Sequence, residues 1–194
     1  MGGTAAADIL AFWFGRPGEP GYGQPRNEWF RKDEAFDEAI RSRFLPEVEA
    51  ALAGRRADWA DSPQGLLALL ILLDQFPRNL FRGEARMFAG DPEARSLTER
   101  ALAQGWDKGM SAVEKLFVYL PLEHSEALAD QERSVGLFAA LAAEYPGNDG
   151  FLDYAWRHHD VIARFGRFPH RNAALGRPST PEETTYLAQP GSGF

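Results

Sequence analysis

The stretch "SPQGLLALLILLDQFP", residues 62–77, decides the fold. Its apolar centre, Leu66–Leu73, shows no strand-like alternation and sits directly behind a helix start: Ser62 offers a capping oxygen and Pro63 occupies the first helical position. The run falls well short of the ~20 residues needed to cross a bilayer. It reads as a helix buried in a protein core, with Pro77 expected to end it because proline lacks a backbone donor and its ring crowds the preceding turn.

The same punctuation recurs outward in both directions. Thr4 is placed to cap a first helix through "DILAFWF", which Gly15 closes before the loop "GRPGEPGYGQP". A second helix is expected over about Arg31–Ala53, with Phe36, Ile40 and Phe44 on one face and Pro46 as a kink. Asp91-Pro92 repeats the cap-and-proline start, Gly105 closes that helix, "SAVE" at Ser111–Glu114 has the form of a capping box, and Thr180–Glu183 has it again. Alternating β patterns and tight hairpin turns between valine-rich runs are missing. The expectation is an all-α single domain over residues 1–194, with seven or eight helices and enough chain to bury its own core.

Bulk chemistry narrows the function classes. A formal charge of -7 argues against a general nucleic-acid binder, which needs a surplus of Lys and Arg. The absence of cysteine rules out disulfides and thiolate chemistry and fits a reducing, cytoplasmic compartment. The start "MGGTAAADIL" lacks the basic end and apolar centre of a secretory signal, so neither export nor a membrane role is expected. The Gly/Pro-rich loop is neither a Walker loop nor a dinucleotide loop, because the first needs Gly-Lys-Ser/Thr running into a helix and the second a preceding strand. No cofactor is indicated.

Several polar residues fall where apolar faces are expected. His124, Leu128, Gln131, Val135, Phe138, Ala142 and Tyr145 follow one another at spacings of three and four, predicting one helical stripe that carries His124 and Gln131 inward. Glu123 and Glu126 then fall in that helix's first turn, where its dipole favours negative charge. A second stripe, Phe151, Tyr154, His158, Val161 and Phe165, points His158 inward. Asp74, at the end of the apolar helix, opposes the dipole and needs a cation, which Arg78, four residues on, Arg82 or an arginine of 164–171 can supply.

The motifs "LLDQFPRNLFRG" (72–83), "YLPLEHSE" (119–126), "RFGRFPHRNAALGRPSTPEE" (164–183) and "PGSGF", with "FWFG", "WFRKDEAFD" and "FAGDPEA", cover nearly the whole chain. Together they resemble the bacterial proteins grouped as domain of unknown function 924. The resemblance implies an all-α fold of antiparallel helix pairs in a tetratricopeptide-like superhelix, and it implies no established activity. It places Asp74, Gln75, Arg78, Asn79, Glu123, His124, Ser125, His158, Arg167, His170, Arg171 and Asn172 at the family's characteristic polar positions.

Three functions compete for these residues. Arginines and histidines drawn from three distant segments can line a pocket for a small anionic ligand, a carboxylate or a phosphate. The same groups can instead form a closed structural network within a module that binds a protein partner on a concave helical face. Glu/His acid–base chemistry on a small molecule is the third, with no catalytic residue assignable. Ser125 lies in no nucleophile elbow, and the histidines show neither HExxH nor ExxH spacing, so neither a serine nucleophile nor a metal site is expected.

Overall fold

The Ser62 hydroxyl accepts the Gly65 N–H at 3.2 Å, and Pro63 opens the helix behind it. The structure, a computed structural model, describes residues 2–193, with side chains from residue 5 onward. Among these residues there are nine α-helical segments and no strand: α1 (Gly2–Phe14), α2 (Glu34–Leu52), α3 (Pro63–Leu70), α4 (Phe76–Leu80), α5 (Asp91–Gln104), α6 (Ala112–Glu123), α7 (Leu128–Glu144), α8 (Asp149–Phe165) and α9 (Pro181–Leu187). Because α3 and α4 are joined by a π turn, Ile71–Gln75, they form one unbroken helix over 63–80.

That continuity corrects the expected stop at Pro77. In a regular helix the proline ring would strike the carbonyl four residues earlier, that of Leu73. The π turn widens the ladder just ahead of it, with the Phe76 N–H bonded to the Ile71 carbonyl five residues back. Helical geometry therefore persists through Pro77. The Leu73 backbone packs against Gly90, the residue that precedes α5, so closely that a Cβ on Gly90 would overlap the Leu73 carbonyl.

The described residues divide into two compact units. One comprises the chain up to Arg82 together with Arg86–Pro121; the other comprises Gly83–Ala85 and the chain from Leu122 onward. In the first unit the helix over 63–80 is central and contacts α1, α2 and α5. Its core is aromatic. Trp13 stacks on Trp29 and meets Phe76 and Phe117 edge-on, while Phe12 stacks on Phe36. Arg26 closes the end of α1 by donating to the Phe12 carbonyl at 2.8 Å, and the Trp29 indole donates to the Trp13 carbonyl at 3.2 Å.

In the second unit α7 and α8 pack as a pair. Val161, Ile162 and Phe168 form its core, with Phe165 and Tyr186 against them. Gly166, at φ 68°, ends α8 in the left-handed region where glycine carries no Cβ penalty. Thr180 and Glu183 make the expected capping box at α9.

Other start signals need correcting. The residue before α5 is Gly90, and Asp91 lies inside the first turn, where its carboxylate is used by Arg78 rather than as a cap. At Ser111 the Glu114 carboxylate accepts from both the backbone N–H and the hydroxyl, so only the glutamate half of the box forms. His124 is not on the helix of Gln131: α6 ends at Glu123 and α7 begins at Leu128, whose side chain is exposed. Glu123 consequently sits at a helix C-terminus rather than in a first turn. The stripe from Gln131 through Val135 and Phe138 is buried as expected. The Thr4 cap falls on a side chain outside the described residues.

The contact between Gly90 and Leu73 makes a steric demand rather than a conformational one, since Gly90 has an ordinary φ of -88°. Gly90→Ala is expected to lower unfolding free energy by about 1–3 kcal/mol through overpacking. Urea denaturation would read this as a lower midpoint at unchanged slope.

Candidate functional site

In the first unit the polar residues are organised by the π turn, which carries Asp74 and Gln75, both buried. Arg78 lies one turn on. It approaches the Asp74 carboxylate at 3.3 Å, donates to the Asp74 carbonyl at 2.6 Å, and reaches Asp91 with both terminal nitrogens at 2.9 and 3.1 Å. Burial works against the guanidinium charge, yet Asp74 and Asp91 hold its pKa above the ordinary value. Arg78 is thus a cation for Asp74, as the four-residue spacing implies. Asn79 donates to Asp37 at 2.7 Å, and Arg82 grips the same carboxylate through two bonds of 3.0 Å.

In the second unit two arginine forks are closed. Arg167 holds Glu183 at 2.6 and 2.8 Å and the Pro178 carbonyl at 3.0 Å. Arg177 holds Glu126 at 2.7 and 2.9 Å, with further bonds to Asn172 and the Phe168 carbonyl. Asn172, buried, donates to Glu183 and Ser179. Burial alone would raise the Glu126 pKa, but the Arg177 fork and the Phe168 N–H more than offset it and hold it low. The Arg167 fork, helped by the Thr180 N–H, pulls Glu183 down to about 2. Bidentate pairs of this kind fix geometry as well as charge.

The remaining groups gather on one ring. Fully buried Phe168 meets His158 edge-on at 5.6 Å and His170 at 5.5 Å, and the Arg171 guanidinium lies over it at 4.5 Å. The His124 and His158 rings are 6.2 Å apart. His158 Nδ1 is 2.9 Å from the Tyr154 carbonyl, which can only accept, so this nitrogen carries the proton; Glu123 Oε1 lies 3.1 Å from the same atom. Nε2 is then the basic nitrogen. Burial pushes the His158 pKa well below the usual histidine value, and the charges of His124, Arg171 and His170 add to this despite the Tyr154 carbonyl. The imidazole is held neutral. Buried Gln131 donates to the Glu123 and Ser125 carbonyls at 2.6 and 2.7 Å, closing the end of α6.

Of the sequence-predicted residues, Asp74, Gln75, Arg78 and Asn79 belong to the first unit, and Glu123, His124, His158, Arg167, His170, Arg171 and Asn172 to the second. Ser125 donates to Asp130 at 2.6 Å and accepts from Ala127, a local turn role rather than that of a nucleophile. Sequence reasoning missed Arg177, although it stands among the quoted arginines, because its partner Glu126 is 51 residues away. It missed Asp91 as a ligand of Arg78 because Asp-Pro reads locally as a helix start. Among the described residues no three His, Asp or Glu side chains converge as metal ligands.

The sequence pattern of a family described as bacterial protein of unknown function (DUF924) matches residues 9–191. The chain belongs to this family. It is also similar to a protein of unknown function, ATU0120 from Agrobacterium tumefaciens: the two are 41% identical, with a TM-score of 0.81 over 95% of this chain and 97% of that one. No functionally curated protein matches it. No helix among the described residues is long and apolar enough to cross a membrane. Of the polar residues singled out from the sequence, Arg78 and Arg167 pair with carboxylates, and His158, His170 and Arg171 contact the Phe168 ring.

Two pH windows follow. Glu183, depressed in the folded state, contributes stability that is complete above its ordinary value of 4.5 and is lost as pH falls through about 2. Arg167→Met is expected to lower stability near neutrality and to flatten acid denaturation across that window, measured by urea melts at stepped pH. His158, also depressed, favours the fold fully above 6.5 and less as pH falls toward its lower native value. His158→Asn, which keeps a donor for the Tyr154 carbonyl, is expected to reduce the loss of stability between about pH 7 and about pH 5.

Proposed function

We propose that the second unit binds a small anion, a carboxylate or a phosphate, where His124, His170 and Arg171 surround His158. The observation that carries this is the convergence of three basic side chains on one buried imidazole. Arg167 and Arg177 are committed to Glu183 and Glu126 as two-point forks. His124, His170 and Arg171 converge on the buried His158 ring, and their charges work against its protonation. Three basic side chains gathered beside the Glu123 carboxylate favour a further negative group, and the half-buried His124 and His170 reach solvent. The forks hold the turn that presents it.

A second reading, acid–base chemistry on the bound anion, is favoured by the contact of Glu123 with His158. A carboxylate beside Nδ1–H orients the ring and leaves Nε2 as a neutral base, which the depressed pKa keeps available at physiological pH. A protein-binding role has less support. Tyr154 and Trp156, the large exposed rings of α8, lie two residues apart and so point to opposite sides of the helix rather than forming one patch.

A thermal-shift series with phosphate and small carboxylates tests the binding reading. Saturable stabilisation is expected in the wild type, about 2.7 kcal/mol at a hundredfold excess over Kd, because a ligand selective for the native state adds its binding free energy. His170→Ala should remain folded and lose the shift. Arg167→Met should melt lower yet keep it. No shift with any of these anions, or one that survives His170→Ala, would sink the proposal.

A further inference from the structure

The direction of hydrogen bonding at His158 is fixed by its own helix. Nδ1 lies 2.9 Å from the Tyr154 carbonyl, which only accepts, and 3.1 Å from Glu123 Oε1 at the end of α6. Moving the proton off Nδ1 would turn a lone pair toward both oxygens, so the ring keeps this tautomer. A second proton therefore goes to Nε2, and it converts the ring from neutral to cationic.

That charge arises in crowded surroundings. His124, just past α6, has its ring 6.2 Å from that of His158. From the turn at Pro169–Arg171, His170 and Arg171 meet the Phe168 ring at 5.5 and 4.5 Å, and His158 meets the same ring at 5.6 Å. Beyond Phe168, the Glu126 carboxylate near Arg171 is engaged by the Arg177 fork. His158 is 4% exposed, so water screens a charge there poorly. Burial first, and then the three basic neighbours, hold its pKa well below the usual value.

An anion bound among His124, His170 and Arg171 sits with the very groups that oppose protonation of His158, and its charge offsets theirs. We infer that the anion site of the second unit is proton-coupled: filling it draws a proton from the buffer onto His158 Nε2, and lowering pH tightens anion binding. This rests on the anion reading above and adds the control of that site. The coupling is reciprocal, since the factor by which the anion favours protonation is the factor by which protonation favours the anion. His124 and His170 are imidazoles too, so affinity against pH does not by itself assign the proton, and each ring has to be read separately.

The test is a pH titration of the histidine ring resonances of the isotope-labelled full chain, alone and with saturating formate or phosphate. With either anion His158 should titrate about one pH unit higher, equivalent to about tenfold tighter binding to the protonated form. His159, which turns to Asp160 and Trp156, is the internal reference. Formate, itself ionised over this range, should bind more tightly at about pH 5 than at about pH 7, and His158→Asn should cut that gain about threefold or more. If His158→Asn fails to fold by circular dichroism, the wild-type resonances decide. Anion-induced shifts at His124 or His170 with the His158 midpoint unmoved overturn the coupling and leave the anion reading standing, as does a full pH gain in folded His158→Asn. No saturable response of any of these rings to either anion overturns the anion reading, and the coupling with it.

Discussion

The first unit depends on a single backbone constraint: a fully buried apolar helix that must pass a proline without breaking. The π turn at Ile71–Gln75 resolves it by shifting the hydrogen-bond ladder one residue before Pro77. Three consequences follow from that one shift. Asp74 and Arg78 stay one helical turn apart, so they can pair. Arg78 reaches Asp91 and ties the end of the central helix to the start of α5. The Leu73 backbone meets Gly90, which accommodates it only because glycine has no Cβ.

The second unit is organised by charge closing on itself around a short turn. Pro169–Arg171 is a single 3-10 turn, far too short to hold a shape alone, and it is fixed from both sides by Phe168 in the core and by the Arg167 and Arg177 forks. Burying carboxylates such as Glu183 would be unfavourable without such partners. With the forks in place, the turn presents His170 and Arg171 beside His158 in one orientation. The arginines that stand out in the sequence are therefore mostly scaffold, and the proposed anion contact falls to the residues between them.

Much of the fold was legible because it rests on local chemistry. Ser62-Pro63, Gly105, Gly166 and the Thr180–Glu183 box act within a few residues, so reading them one at a time located those boundaries correctly. Pro77 and Asp91 misled for the same reason. Each is a strong local signal overruled by a non-local need, the one by the π turn and the other by the pull of Arg78. The break between α6 and α7 was invisible because His124, Leu128 and Gln131 keep helical spacing across a gap that only the buried Gln131 amide, turned onto the ends of α6, reveals.

By itself, then, the sequence determined an all-α chain, the buried helix around Leu66–Leu73 and the identity of the polar residues that would be drawn inward. Those outcomes follow from periodicity, capping and hydrophobicity, which act over one or two turns of chain. The tertiary structure alone decided which arginine closes on which carboxylate, and which basic groups gather around His158. Pairs such as Arg177 with Glu126 and Arg167 with Glu183 lie 51 and 16 residues apart. No local rule orders them, because a charge pairs with whatever opposite charge the packed backbone brings within about 3 Å.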